Sequence, residues 1–89
     1  MPKKYINIDD YQNGEWALGF CGTLKQWREC AMSWAFQDDM YETYNHLKYY
    51  KIKNSELIEY INDIWDIGIV EFDPNKNYLN EYGLEVIEI

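Results

Sequence analysis

The stretch that decides the fold is residues 4–21, KYINIDDYQNGEWALGFC, which predicts a β-hairpin. Apolar and polar residues alternate from Tyr5 to Asp9, as expected for a strand with one buried face. Asn13-Gly14 then supplies a dipeptide that is strongly favoured in hairpin turns. The chain is therefore expected to begin with two antiparallel strands.

Two registers of this hairpin are possible. A two-residue Asn13-Gly14 loop pairs Tyr11 with Trp16 and separates the strand-one isoleucines from the apolar residues of strand two. A three-residue loop ending in a left-handed Gly14 pairs Asp10 with Trp16 instead. We predict the second register, because it collects on one face Ile6, Ile8, Trp16, Leu18 and Phe20.

A first helix is predicted to begin after Thr23, since Thr23 and Gln26 have the spacing of a capping box. Its buried stripe is expected at three- and four-residue steps, on Leu24, Trp27, Ala31, Trp34 and Ala35. Water-facing positions are expected at Lys25, Arg28 and Glu29.

Two further helices are predicted. Residues 37–39, Gln-Asp-Asp, offer an N-cap for a short helix that carries Met40, Tyr44 and Leu47 and ends near Tyr49 or Tyr50. Residues 54–56, Asn-Ser-Glu, open the clearest helix, which is expected to stop at Gly68. Its apolar stripe is Leu57, Ile58, Ile61, Ile64 and Trp65.

Residues 69–72 and 84–89 are the remaining strand candidates, and residues 78–83 have no clear form. The order of elements predicts an α+β fold: a small antiparallel sheet, made of the N-terminal hairpin and the C-terminal strands, with two or three helices packed on one face. At 89 residues the chain is expected to form a single domain, residues 1–89.

Composition indicates a folded protein that stays in the cytoplasm. The 16 aromatic residues can supply a dense core. No run approaches the about 18–20 apolar residues that a membrane span needs, and the N-terminus does not resemble a signal peptide. Cys21 and Cys30 are interpreted as small core residues rather than a disulfide framework, and we predict no metal and no cofactor.

Catalytic signatures are missing from the sequence, so we expect no enzyme activity. His46 is the only histidine and lies beside no nucleophile or metal-ligand pattern. The basic, aromatic residues 46–53 are interpreted as a structural connection with lysines reaching to water, with a protein contact through tyrosine or nucleic-acid binding as alternatives. Direct nucleic-acid binding is not predicted for the protein as a whole.

Negative charge is concentrated in the C-terminal part of the chain. Residues 1–53 contain seven acidic and seven basic side chains, whereas residues 54–89 contain nine acids and only Lys76, which accounts for the whole net charge of −8. Such an asymmetry indicates that one face meets a partner.

Four of these acids recur at steps of three, four and three residues along the third helix, which predicts a ladder about 15 Å long. Four further acids lie in or next to the C-terminal strands. The predicted partner-binding residues are Glu56, Glu59, Asp63, Asp66, Glu71, Asp73, Glu85 and Glu88. A solvated helix face that only aids solubility is the alternative interpretation.

Residues 5–19, YINIDDYQNGEWALG, resemble the opening strand–turn–strand of the ArdA antirestriction family. In that family a Tyr-Ile strand enters a Tyr-x-x-Gly-Glu turn, and a glycine closes the second strand. The resemblance implies an acidic, dimeric protein that imitates B-DNA and occupies the DNA groove of type I restriction–modification enzymes. It implies no catalytic residue.

The expected function is that of an acidic DNA mimic that blocks a basic, nucleic-acid-binding enzyme, with a homodimer as a possible form. Two alternatives stay open. One is an immunity or antitoxin-like protein that neutralises a single toxin. The other is a structural interaction module of a phage or plasmid.

Overall fold

The computed structural model describes residues 3–9 and 17–89, with Asp9 and Ala17 described in their backbone alone. Four strands and four helices occur in these ranges, which confirms the α+β class. In chain order they are β1 (Tyr5–Asp9), β2 (Ala17–Gly22), α1 (Leu24–Gln37), α2 (Tyr41–Lys48), α3 (Asn54–Trp65), β3 (Gly68–Glu71), α4 (Tyr78–Tyr82) and β4 (Leu84–Glu88).

The four strands form one sheet in the order β3-β1-β2-β4. β1 pairs antiparallel with both β2 and β3, but β4 runs parallel to β2. The prediction of a wholly antiparallel sheet was therefore wrong. A parallel neighbour needs a crossover connection, and β4 reaches its place only after the chain has crossed from the far edge through α4.

The register of the hairpin also differs from the predicted one. Tyr5 lies opposite Gly22 and Ile6 opposite Cys21, the register that a two-residue loop would give. Ile6 therefore shares its face with Gly19 and Cys21 rather than with Leu18 and Phe20. The proposed Asn13-Gly14 turn and the pairing of Trp16 lie outside the described residues.

Asn7 continues the contact between β1 and β2 through its side chain. The backbone N–H of Phe20 donates to Asn7 Oδ1 at 2.8 Å, and Asn7 Nδ2 donates to the carbonyl oxygen of Leu18 at 3.4 Å. The Asn7 side chain is buried, so these bonds satisfy an amide that water does not reach.

The predicted capping box of α1 is present. The Gln26 N–H donates to Thr23 Oγ1, and the Thr23 N–H donates to Gln26 Oε1 at 2.8 Å. Lys25 and Glu29 face water as expected, but Arg28 is only 3% exposed, so its predicted position in water was wrong. Arg28 instead enters the core side of α1 and bonds to the connection that follows α2.

The ends of α2 and α3 differ in detail from the predictions. Met40, not residues 37–39, is the N-cap of α2, and it makes no side-chain cap hydrogen bond. Lys53 is the N-cap of α3, and the chain leaves that helix at Asp66, which has a left-handed backbone (φ 51°), two residues before the predicted stop at Gly68.

Two apolar cores lie on opposite faces of the sheet. The larger one, under α1, α2 and α3, contains Trp27, Ala31, Leu47, Leu57, Ile61 and Ile69. The smaller one, under α4, contains Ile6, Cys21, Tyr78 and Leu84. Helices therefore cover both faces, and the prediction of helices on one face holds only for the first three.

Candidate functional site

Helix α3 presents its acids on the side opposite its buried stripe. Leu57 and Ile61 are fully buried against the larger core. At 3.6 residues per turn, Glu56, Glu59 and Asp63 lie within an arc of about 60° on the far side. All three are exposed. This group, which we call the α3 acidic face, runs about 10 Å along the helix.

No cation neutralises the α3 acidic face within the described ranges. The ion pairs found there are Lys3 with Glu71, Lys4 with Glu88, and a longer contact between His46 and Glu42. Like charges three and four residues apart destabilise a helix by a few tenths of a kcal/mol per pair. The acids on α3 therefore form a surface of uncompensated charge.

Asp66 does not continue this face as a fourth step. It is the left-handed C-cap residue, so its side chain leaves the helical row set by the other three. Asp66 is exposed at the end of α3, where it adds negative charge near the helix C-terminus. A carboxylate at that end is unfavourable with respect to the helix dipole.

The acids that follow α3 have local structural partners. Glu71 is an exposed residue of β3 and pairs with Lys3 at 3.2 Å. Asp73 closes the turn after β3, since its Oδ1 accepts from the Asn75 N–H at 2.9 Å and its own N–H donates to the Tyr78 hydroxyl at 2.8 Å. The Glu71 pair joins β3 to the N-terminal segment, and the Asp73 bonds stabilise the connection to α4.

Glu85 and Glu88 lie on β4 and point to opposite faces, because they are three residues apart on a strand. The Lys4 ammonium lies 2.9 Å from a Glu88 carboxylate oxygen. This hydrogen bond and the attraction of opposite charges lower the pKa of Glu88 and raise the pKa of Lys4.

The eight predicted residues therefore do not share one surface. β3 and β4 are the two edges of the sheet, with β1 and β2 between them. At about 4.8 Å per strand, the two edges are about 14 Å apart. The structure brings together the three acids of the α3 acidic face and leaves Glu71, Asp73, Glu85 and Glu88 at the two strand edges.

The connection between α2 and α3 is held by Arg28. Arg28 Nη1 donates to the carbonyl oxygen of Leu47 at 2.9 Å, and Nη2 donates to that of Ile52 at 2.7 Å and to Asn54 Oδ1 at 3.0 Å. The guanidinium also lies 4.1 Å from the centre of the Tyr50 ring. Burial lowers the pKa of Arg28.

An exposed aromatic band lies beside this connection, and the sequence analysis had included only its Lys48 and Tyr49, within residues 46–53. The Phe36 ring lies 5.9 Å from that of Tyr41 and 5.6 Å from that of Tyr44. The Lys48 ammonium lies over the rings of Tyr44 and Tyr49. Phe36 and Tyr49 are more than half exposed, so this band is a surface that a protein partner could cover.

Neither cysteine forms a disulfide. Cys21 is buried in the smaller core and Cys30 is half-buried on α1, and burial raises the pKa of both thiols. Within residues 3–9 and 17–89, no group of three or more histidine, cysteine or acidic side chains is arranged to hold a metal ion.

Comparison with known proteins identifies no relative: no protein-family model, curated protein or solved structure matches this chain. In the part of the chain that the structure describes, no helix has the length and apolar character to cross a membrane.

Proposed function

We propose that this protein is an acidic inhibitor whose α3 acidic face binds the basic, nucleic-acid-binding surface of an enzyme and blocks it. This proposal is supported by the row formed by Glu56, Glu59 and Asp63, which is exposed and has no cation partner among the described residues. A basic groove that normally meets phosphates is the partner chemistry that this row fits best.

The spacing of the row supports this proposal. Its about 10 Å of length corresponds to about three phosphates at the ~3.4 Å axial spacing of one DNA strand. The row therefore imitates a short stretch of one strand, and the strand-edge acids are not needed for it. Asp66 lies at one end of the row and extends its negative field.

We choose type I restriction–modification enzymes as the target for the test, because residues 5–19 resemble the ArdA antirestriction family. The test measures cleavage of unmodified duplex DNA by such an enzyme as this protein is added. We expect the native chain to inhibit cleavage. An unchanged cleavage rate at a large excess of the protein would reject the antirestriction role.

A double charge reversal tests the acidic face within the same assay. Glu59→Lys with Asp63→Lys is expected to abolish inhibition. The matched control is Glu29→Lys with Asp38→Lys, which makes the same change in net charge at exposed positions of α1 and its C-cap. Equal inhibition by the first variant and the native chain would reject the role of α3.

The aromatic band favours a second candidate, an immunity-like protein that neutralises one cognate toxin. Interface hot spots are enriched in aromatic residues, and Phe36 and Tyr41 are exposed and in contact. If the protein neutralises a toxin through this band, replacing both residues by alanine is expected to weaken its binding to the toxin. An inhibitor that acts only through the α3 acidic face would keep its affinity in the same double variant.

A further inference from the structure

The two edges of the sheet differ in how their backbone groups are satisfied. At the β3 edge, the N–H of Ile69 donates to Asn62 Oδ1 at 2.9 Å, and Asn62 Nδ2 donates to the carbonyl oxygen of Ile69 at 3.1 Å. The Asn62 amide thus takes the place of a neighbouring strand. An edge covered in this way is protected against pairing with another chain.

Among the described residues, nothing covers the β4 edge in this way. Over the described ranges, β4 pairs with β2 alone. The N–H of Ile89 donates to the carbonyl oxygen of Cys21 at 3.0 Å, which shows that the odd-numbered residues of this strand turn their backbone groups towards β2. The N–H and C=O groups of Leu84, Val86 and Glu88 consequently point away from the sheet.

Apolar side chains surround this open edge. Val86 is 42% exposed and Leu79, on the neighbouring α4, is 65% exposed. A shallow groove between α4 and β4 is lined by Leu79, Leu84 and Val86. The strand carries neither proline nor lysine, which commonly protect exposed edges, and its charged residues are Glu85 and Glu88. The edge therefore offers hydrogen bonds and apolar contact together.

We propose that β4 pairs antiparallel with β4 of a second copy of this chain, with Val86 opposite Val86 of the second copy. This register joins all outward-pointing residues in hydrogen-bonded pairs, because Leu84 meets Glu88 of the second copy and Glu88 meets its Leu84. The two sheets become one continuous sheet of eight strands around a two-fold axis.

The sequence of β4 favours one register of pairing with a second copy. In the Val86-centred register, Glu85 lies opposite Ile87 of the second copy, and Glu88 lies opposite Leu84. No glutamate meets another glutamate directly, a pairing that would be destabilising. Sliding by two residues in one direction places Glu85 opposite Glu85 of the second copy, and sliding in either direction loses a hydrogen-bonded pair.

This association differs from the proposed function in its response to salt. Each copy carries a net charge of −8, so screening by salt reduces the repulsion between copies and strengthens the dimer. Binding of a basic partner to the α3 acidic face weakens with salt for the same reason. Loss of one activity therefore does not imply loss of the other.

The first test is the mass in solution, measured by light scattering over a range of protein concentrations. We expect the mass to rise to twice 10.8 kDa. Val86→Pro removes an N–H that points away from β2, so the variant should fold and remain a monomer. Val86→Thr, which keeps the N–H and the branched shape, is the matched control and should still dimerise.

The second test needs no variant and measures amide hydrogen exchange in dilute and concentrated protein. The amides of Val86 and Glu88 are expected to slow their exchange as concentration rises, whereas Ile87 and Ile89, already bonded to β2, should not respond. A single-chain mass at every concentration and salt level, or a dimer whose new protection lies outside β4, would overturn the proposal.

Discussion

Arg28 Nη1 lies 2.9 Å from the carbonyl oxygen of Leu47, a hydrogen bond that joins the second turn of α1 to the last turn of α2. A cation at this place also interacts favourably with the negative end of the α2 dipole. The same guanidinium bonds to Ile52 and Asn54, so one side chain fixes the path from α2 into α3. The orientation of the α3 acidic face thus depends on a residue of α1.

Replacing Arg28 should therefore destabilise the protein. Arg28→Leu leaves the carbonyl oxygens of Leu47 and Ile52 without their donor, and we expect the free energy of unfolding to fall by about 3 kcal/mol. Urea unfolding followed by tryptophan fluorescence measures the change. Lys25→Leu, on the exposed side of the same helix, is the control and should stay within about 0.5 kcal/mol of the native chain.

The capping box of α1 should contribute less to the free energy of unfolding than Arg28 does. Thr23→Ala removes the hydroxyl that accepts from the Gln26 N–H, and the expected loss in the free energy of unfolding is about 1 kcal/mol. Ser33→Ala, at an exposed position inside α1, serves as the comparison and should be neutral or slightly stabilising. Equal losses in the two variants would contradict the capping role.

Asn62 should protect the β3 edge as well as stabilise it. Asn62→Ala frees the backbone N–H and C=O of Ile69, and we expect the free energy of unfolding to fall by about 1–2 kcal/mol. The uncovered edge should also promote aggregation, which light scattering detects. Asn80→Ala removes an exposed asparagine of α4 and is expected to leave both quantities unchanged.

The ion pair with Lys4 should lower the pKa of the Glu88 carboxyl group. Lys4 lowers the pKa of Glu88, so the pair stabilises the fold above the pKa that Glu88 has in the unfolded chain, and this contribution disappears as pH falls through the folded value. Lys4→Gln should move the Glu88 midpoint, followed by NMR, to higher pH. Lys3→Gln, whose partner is Glu71, should not move it.

The periodicity of α1 already indicated that Arg28 is buried, although it was predicted to face water. Leu24, Arg28, Ala31 and Ala35 recur at steps of four, three and four residues, so Arg28 lies within the buried stripe. The prediction placed it in water because charged residues are rarely buried. What the sequence could not reveal is that three acceptors from distant segments would satisfy the guanidinium.

The register of the hairpin was predicted on the assumption that one face of the sheet is buried. α4 covers the second face, and Tyr78 packs there with Ile6 and Cys21. A rule that collects apolar residues on a single face therefore selects the wrong pairing. The parallel direction of β4 depends on the connection that runs from β3 through α4. This connection could not be predicted from residues 78–83, because a five-residue helix has almost no periodic pattern.

The shared side of Glu56, Glu59 and Asp63 on α3 was predicted from the sequence, and their role in binding a partner stays a prediction. Helical spacing alone places Glu56, Glu59 and Asp63 on one side, and that arrangement is local to one element. Strand acids such as Glu71 and Glu88 depend on sheet order, which pairs each of them with a lysine from the N-terminal segment. The acids of α3 and those of the strands therefore differ in their tertiary contacts, which composition does not reveal.

Inhibition through the α3 acidic face is tested most directly by the affinity of this protein for a type I restriction–modification enzyme, measured by displacement of labelled duplex DNA at increasing salt. We expect the affinity to fall steeply with salt, and we expect Glu59→Lys with Asp63→Lys to remove the displacement. Binding that is indifferent to salt and unchanged in this double variant would contradict it.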